Sequence, residues 1–130
     1  MLAYFEEWLK SDDPKAKGYR KLIDAQKAGK DVYFRGAPQL ILALNEEARP
    51  DRYDNGQFAL TYAELFAPAI GVGTCWAGFF LWYYSVRADE VRELLNIPEG
   101  WKATAALMVG IPRYTYKRMP ERHLLEVEWR

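Results

Sequence analysis

Apolar positions along the chain switch between helical and extended spacing, and each switch marks the border of a short element. Leu2, Phe5 and Leu9 recur at helical spacing, with Tyr4 and Trp8 widening the stripe, which predicts an amphipathic helix over residues 2–10. Asp13 followed by Pro14 is an N-cap signal with proline in the first turn, where its missing N–H is no loss. The helix that follows carries Tyr19, Leu22, Ile23 and Gln26 on one face until Gly29 stops it. Residues 32–38 read as a connection into Gln39-Leu40-Ile41-Leu42-Ala43-Leu44, a continuous apolar run expected of a central strand covered on both faces. A polar loop over 45–54 leads to the next helix, with Asp54 or Asn55 placed to cap it.

That helix, over 56–70, carries Phe58, Ala59, Tyr62, Leu65, Phe66, Ala69 and Ile70 on one stripe but Leu60, Ala63 and Ala67 on the other side. A helix apolar nearly all round is buried in a core or in a subunit interface, and in so short a chain the interface is the more economical expectation. Pro68 should bend or loosen its last turns. Next comes Gly71-Val72-Gly73-Thr74-Cys75-Trp76-Ala77-Gly78-Phe79-Phe80, with three glycines in eight residues. By pattern alone it is a helix-to-strand junction, or main chain presented to a flat partner. Leu81–Val86 stays apolar, residues 88–95 read as a helix with Asn96 as its C-terminal cap, and Pro98-Glu99-Gly100 is a turn. Ala103 to Val109 is a second buried strand, ended by Gly110 and Pro112. From Arg113 to Arg122 four basic residues face one acid, and 123–129 alternate loosely like an edge strand, expected to pair with a partner subunit's sheet.

Composition narrows the class. With 130 residues, half of them hydrophobic, the chain reads as one globular domain over 1–130 with 113–130 as a C-terminal arm. Lys plus Arg equals Asp plus Glu at 18 each, so no overall field draws the protein to nucleic acid or to an anionic membrane. The start lacks the basic and apolar regions of a signal peptide and no stretch is long enough for a membrane span, so the expected location is cytoplasmic. One cysteine and one histidine make an internal disulfide impossible and a metal site improbable. Cys75 has no Asp or His beside it in a nucleophile motif, which favours a small packed thiol, and His123 reads as a surface residue of the arm. Five Trp, nine Tyr and six Phe must be buried in the core, in an interface or against a planar ligand.

Several segments resemble the flavin-dependent nitroreductase family, most of all its bacterial ferredoxin-nitroreductase-type branch. They are Phe34-Arg35-Gly36-Ala37-Pro38 before a strand, Asp54 through Ala69 running into Gly71–Phe79, Ala105–Pro112, and Tyr114–Arg122. The resemblance implies an α+β fold with a mixed sheet flanked by helices, and an intertwined homodimer holding FMN at its interface. It also implies a C-terminal arm exchanged between subunits, and electron transfer from NAD(P)H or another donor to nitroaromatics, quinones or similar planar acceptors. By the same resemblance, backbone at Cys75, Trp76, Ala77 and Gly78 lies against the flavin, the amide of Ala77 or Gly78 bonds its N5, and Arg118 with Lys117 meets the phosphate. No side chain is assigned a catalytic role.

The resemblance breaks at the start. The family's basic Arg-Arg-Ser-type segment, which grips the phosphate and ribityl chain, and its first sheet strand have no counterpart before Met1, so the domain reads as truncated at the N-terminus. Each charge-assisted contact is worth about 1.5–3 kcal/mol, so losing several predicts FMN binding that is weak or lost. The alternative reading is a non-catalytic, dimerising remnant that binds no flavin or a different planar ligand.

Overall fold

Small and β-branched residues at the end of the chain's longest strand pattern, Ala103-Thr104-Ala105-Ala106-Leu107-Met108-Val109, let both faces of one strand be covered closely. The computed structural model describes residues 1–114, 123–124 and 126–129. In it β3 (Trp101–Gly110) lies between β1 (Gln39–Glu46) and β2 (Gly73–Trp76), and both pairings are antiparallel. The helices are α1 (Leu2–Trp8), α2 (Pro14–Lys27), α3 (Arg52–Phe66), α4 (Gly78–Val86) and α5 (Ala88–Leu94), which makes the fold α+β.

Three expectations need correction. The central strand is β3, whose residues from Ala103 to Met108 are all buried, whereas β1 is an edge strand and only half-covered. An apolar run alone does not separate these cases: Ile41, within the run, is left 44% exposed. The sheet among the described residues is also antiparallel throughout rather than mixed. The expected edge strand of the arm forms no strand at 123–124 or 126–129, which are all exposed, and the basic part of the arm lies outside the described residues.

The two faces of the sheet hold separate cores. Leu40, Leu42 and Leu44 of β1 meet Ala103, Ala106 and Met108 of β3 under α4 and α5. Ala43, Ala105, Leu107 and Val109 face α3 through Leu60 and Ala63. Ala103 and Ala106 share a face although two residues, an even number, lie between them. An irregularity makes this possible: Ala43 pairs with Ala105 but Leu44 with Ala103, so Thr104 is an extra residue that resets the alternation. Its hydroxyl donates to Asn45 Oδ1 at 2.7 Å and packs against Gly56 of α3, where a Cβ would overlap it.

Caps and turns follow the sequence with small shifts. Asp13 Oδ1 accepts from the Lys15 N–H at 2.9 Å, and the indole of Trp8 donates to Oδ2 at 3.0 Å. Both bonds favour the charged form and hold its pKa below the ordinary carboxylate value, the Lys15 bond first. The third helix starts at Arg52, earlier than residue 56, with Asp51 in the cap position and Asn55 reaching back to it at 2.8 Å. Pro68 ends the α-helical hydrogen bonding, and Ala67–Ile70 form a 3₁₀ turn closed by Gly71 at φ 74°. Asn96 takes φ 51° as α5 ends, and the Ile97 N–H closes on the Arg92 carbonyl at 2.9 Å.

The apolar stretch after Gly78 is a helix. Phe80, Tyr83 and Tyr84 of α4 face the sheet, while Phe79 and Trp82 turn to Phe5, Trp8 and Tyr33. Phe5 is fully buried there, its ring 4.8 Å from Trp82 and 5.2 Å from Tyr33. Burial raises the pKa of Tyr33, with the charge of Glu6 adding to it.

Candidate functional site

Three chain segments meet at one end of the sheet: the loop before β1, the turn into β2, and the exit from β3. Gly73 and Gly110 are cross-strand partners there. Proline fills the space where each side chain would stand, since a Cβ on Gly73 would meet Pro112 at 3.1 Å and one on Gly110 would meet Pro38 at 3.0 Å. Around this floor lies a cleft of ≈ 750 Å³ that reaches Arg35, Glu64, Cys75, Met108 and Arg113. A second cleft of ≈ 350 Å³ lies beside Tyr33, Trp76, Gly78 and Phe79, and Arg35 and Met108 border both.

Within β2 the hydrogen-bond ladder decides which backbone groups are free. Ala77 is fully buried and its N–H donates to the Ala106 carbonyl at 3.0 Å, continuing the pairing of β2 with β3. Bonded pairs alternate in an antiparallel ladder, so Cys75 and Gly73 also bond to β3 while Thr74 and Trp76 turn their N–H and C=O outward. No strand covers that edge among the described residues. The N–H of Gly78, first residue of α4, has no acceptor within its own helix, and nothing lies within 4 Å of where its Cβ would be.

The six residues singled out from sequence therefore separate. Cys75 is half-buried in the larger cleft; its Sγ accepts from Arg35 Nη1 and donates to the Trp76 carbonyl, each at 3.8 Å. The indole of Trp76 leaves the backbone edge to pack towards Leu60, with Nε1 donating to Glu64 Oε2 at 2.8 Å. Trp76 and Gly78 border the smaller cleft, and Ala77 borders neither. Lys117 and Arg118 lie outside the described residues, and His123 is exposed.

Arg35 is the residue that sequence reasoning passed over, naming it only within a longer segment. It sits at φ 56°, a conformation costly to a residue with a Cβ, and Gly36 follows at φ 73°. Asp31 holds the turn with both oxygens, accepting from Phe34 N–H and Gly36 N–H at 2.9 Å each. The legible signal was an Asp placed to cap the loop, followed by Arg-Gly. Among the described residues no group of His, Cys, Asp and Glu could hold a metal ion, and no helix is long and apolar enough to cross a membrane.

Solved structures share this fold. A nitroreductase with bound FMN from Bacteroides fragilis NCTC 9343 superposes with a TM-score of 0.62 at 18% identity, over 98% of this chain and 67% of its own. A nitroreductase with bound FMN from Desulfitobacterium hafniense DCB-2 gives 0.64 at 24% identity, over 98% and 65%. Oxidized iodotyrosine deiodinase bound to FMN and 3-iodo-L-tyrosine gives 0.58 at 19% identity, over 96% and 61%. The chain thus spans about two thirds of the length of these proteins, and the likeness shows a common fold. No curated protein sequence matches it. The nitroreductase family model matches residues 2–111, most of the chain, so the protein belongs to the nitroreductase family.

Proposed function

We propose that this chain forms a homodimeric, FMN-dependent oxidoreductase of nitroreductase type, passing electrons from NAD(P)H or another donor to nitroaromatic, quinone or similar planar acceptors. The observation that carries the reading is the ≈ 750 Å³ cleft whose floor is backbone and proline. Its size is that of an ordinary cofactor site. The donors around the two adjoining clefts also suit a flavin with its phosphate: the outward N–H of Thr74 and the guanidinium of Arg113 beside Glu64 in the larger, and the N–H groups of Trp76 and Gly78 at the border of the smaller. When bound, FMN supplies the redox chemistry.

What the chain's own residues do is hold and shield. Of the two amides expected to face the flavin, Gly78 is the candidate donor, because the Ala77 N–H is already committed to Ala106. Lys117 and Arg118 remain the proposed phosphate ligands. The exposed side chains Phe58, Tyr62, Leu65 and Phe66 on α3 are the proposed dimer face, and the arm from 113 onward is the proposed exchanged segment.

The engaged Ala77 amide favours a second reading, a non-catalytic dimerising protein without flavin. Purified protein separates the two. A yellow solution with flavin absorbance, or saturable uptake of added FMN with NAD(P)H oxidation in the presence of a quinone, supports the oxidoreductase. A colourless protein that takes up no FMN overturns it.

A further inference from the structure

Arg35 combines three features that a solvated surface arginine does not need. Its backbone is held at positive φ by two hydrogen bonds to Asp31, so the loop is shaped at a conformational cost. Its guanidinium stands at the shared border of the two clefts, with Nη1 against Cys75 Sγ. None of the ion pairs among the described residues involves it: these join Lys27 to Glu6, Arg49 to Asp51 and Arg92 to Glu47. The acid of the larger cleft, Glu64, is bonded to the Trp76 indole, and Arg113 adds a second positive charge. The result is a cation, fixed at its backbone and without an acidic partner among the described residues, at the border of an otherwise largely apolar cleft.

We propose that Arg35 is a specificity residue that selects planar acceptors bearing a carboxylate. A guanidinium presents paired donors that match the two oxygens of a carboxylate, and a pre-shaped loop spares the ligand the work of ordering it. A group exposed at a cleft's border meets molecules that enter and leave. The inference rests on the flavin reading for the redox role of those acceptors, but the recognition itself is a binding property of this chain.

The test compares 4-nitrobenzoate with neutral, isosteric 4-nitrobenzamide, both titrated calorimetrically into the purified protein without any electron donor. Wild type should bind the carboxylate about tenfold more tightly, the scale of one charge-assisted hydrogen bond. Arg35→Asn removes the charge while keeping a residue that tolerates positive φ, and it should abolish the preference with the amide's affinity unchanged. Arg35→Lys, which keeps the charge without the planar fork, should retain part of it. Equal affinities in wild type, or a preference that survives in Arg35→Asn, overturn the proposal. FMN uptake is measured in parallel on the same samples. A drop in FMN affinity in Arg35→Asn, with the acceptor preference intact, assigns the residue to the cofactor and also overturns it. Absence of FMN from wild type refutes the oxidoreductase reading and leaves the calorimetric comparison to decide on Arg35.

Discussion

Helices α3 and α4 have the same sequence character and opposite fates. Both carry apolar residues on more than one side. In α4, residues 80, 83 and 84 pack on the sheet while 79 and 82 meet the aromatic cluster around Phe5, so two partners within the chain cover two faces. In α3, Gly56 and Leu60 are buried against the sheet, whereas Phe58, Tyr62 and Leu65 stay 66%, 78% and 73% exposed. An all-round apolar helix is thus buried at home only where the chain supplies an element on each side. Where the described residues supply one, the remaining face stays exposed, which makes it the proposed dimer face.

Breaking each helix in turn should show this difference. Phe80→Ala empties a buried position of α4 and should lower stability by about 3–5 kcal/mol, read from chemical denaturation. Gly56→Ala forces a Cβ into the Thr104 hydroxyl where α3 lies closest to the sheet, and should cost about 1–3 kcal/mol on the same assay. Tyr62→Asp on the exposed face of α3 should change subunit stability by no more than about 0.5 kcal/mol. It should nonetheless shift sedimentation from dimer to monomer; an unchanged sedimentation profile would remove α3 from the proposed interface.

The smallest effect concerns the way α1 and α2, which help to enclose α4, are tied together. The folded-state pKa of Asp13 is lowered, so its contribution is complete above the unfolded carboxylate value of 3.8 and is lost as pH falls through the folded value. Asp13→Asn should therefore flatten the acid limb of a stability–pH curve and leave its neutral region nearly level.

The same contrast explains what could be read from the sequence. Element positions were legible because caps and breakers are local: Asp13-Pro14, Gly29, Pro68-Gly71 and Asn96 each act within a few residues. Strand order was not, since Leu40–Leu44 and Ala103–Val109 are similar apolar runs and only the tertiary arrangement puts the second in the middle. Thr104 shifts the alternation by one residue, which no periodicity reveals in advance. At the cleft, glycine spacing pointed to a segment that lines it. The use of individual amides depended on ladder phase, which assigned Ala77 to β3 and turned Trp76 outward. Arg35 was hidden because its importance comes from a backbone angle and from Asp31, features spread over a loop with no repeating pattern.

The paired glycines and prolines at the cleft floor have a consequence for affinity. A floor of flexible side chains must lose rotamer freedom when a ring settles on it, and that loss offsets part of the free energy of binding. Gly73 and Gly110 have no rotamers to lose, while the rings of Pro38 and Pro112 are already locked and offer no N–H that a ligand would have to satisfy. A flat molecule resting there would meet a surface already ordered by folding, so side-chain ordering would take little from the polar interactions at the rim.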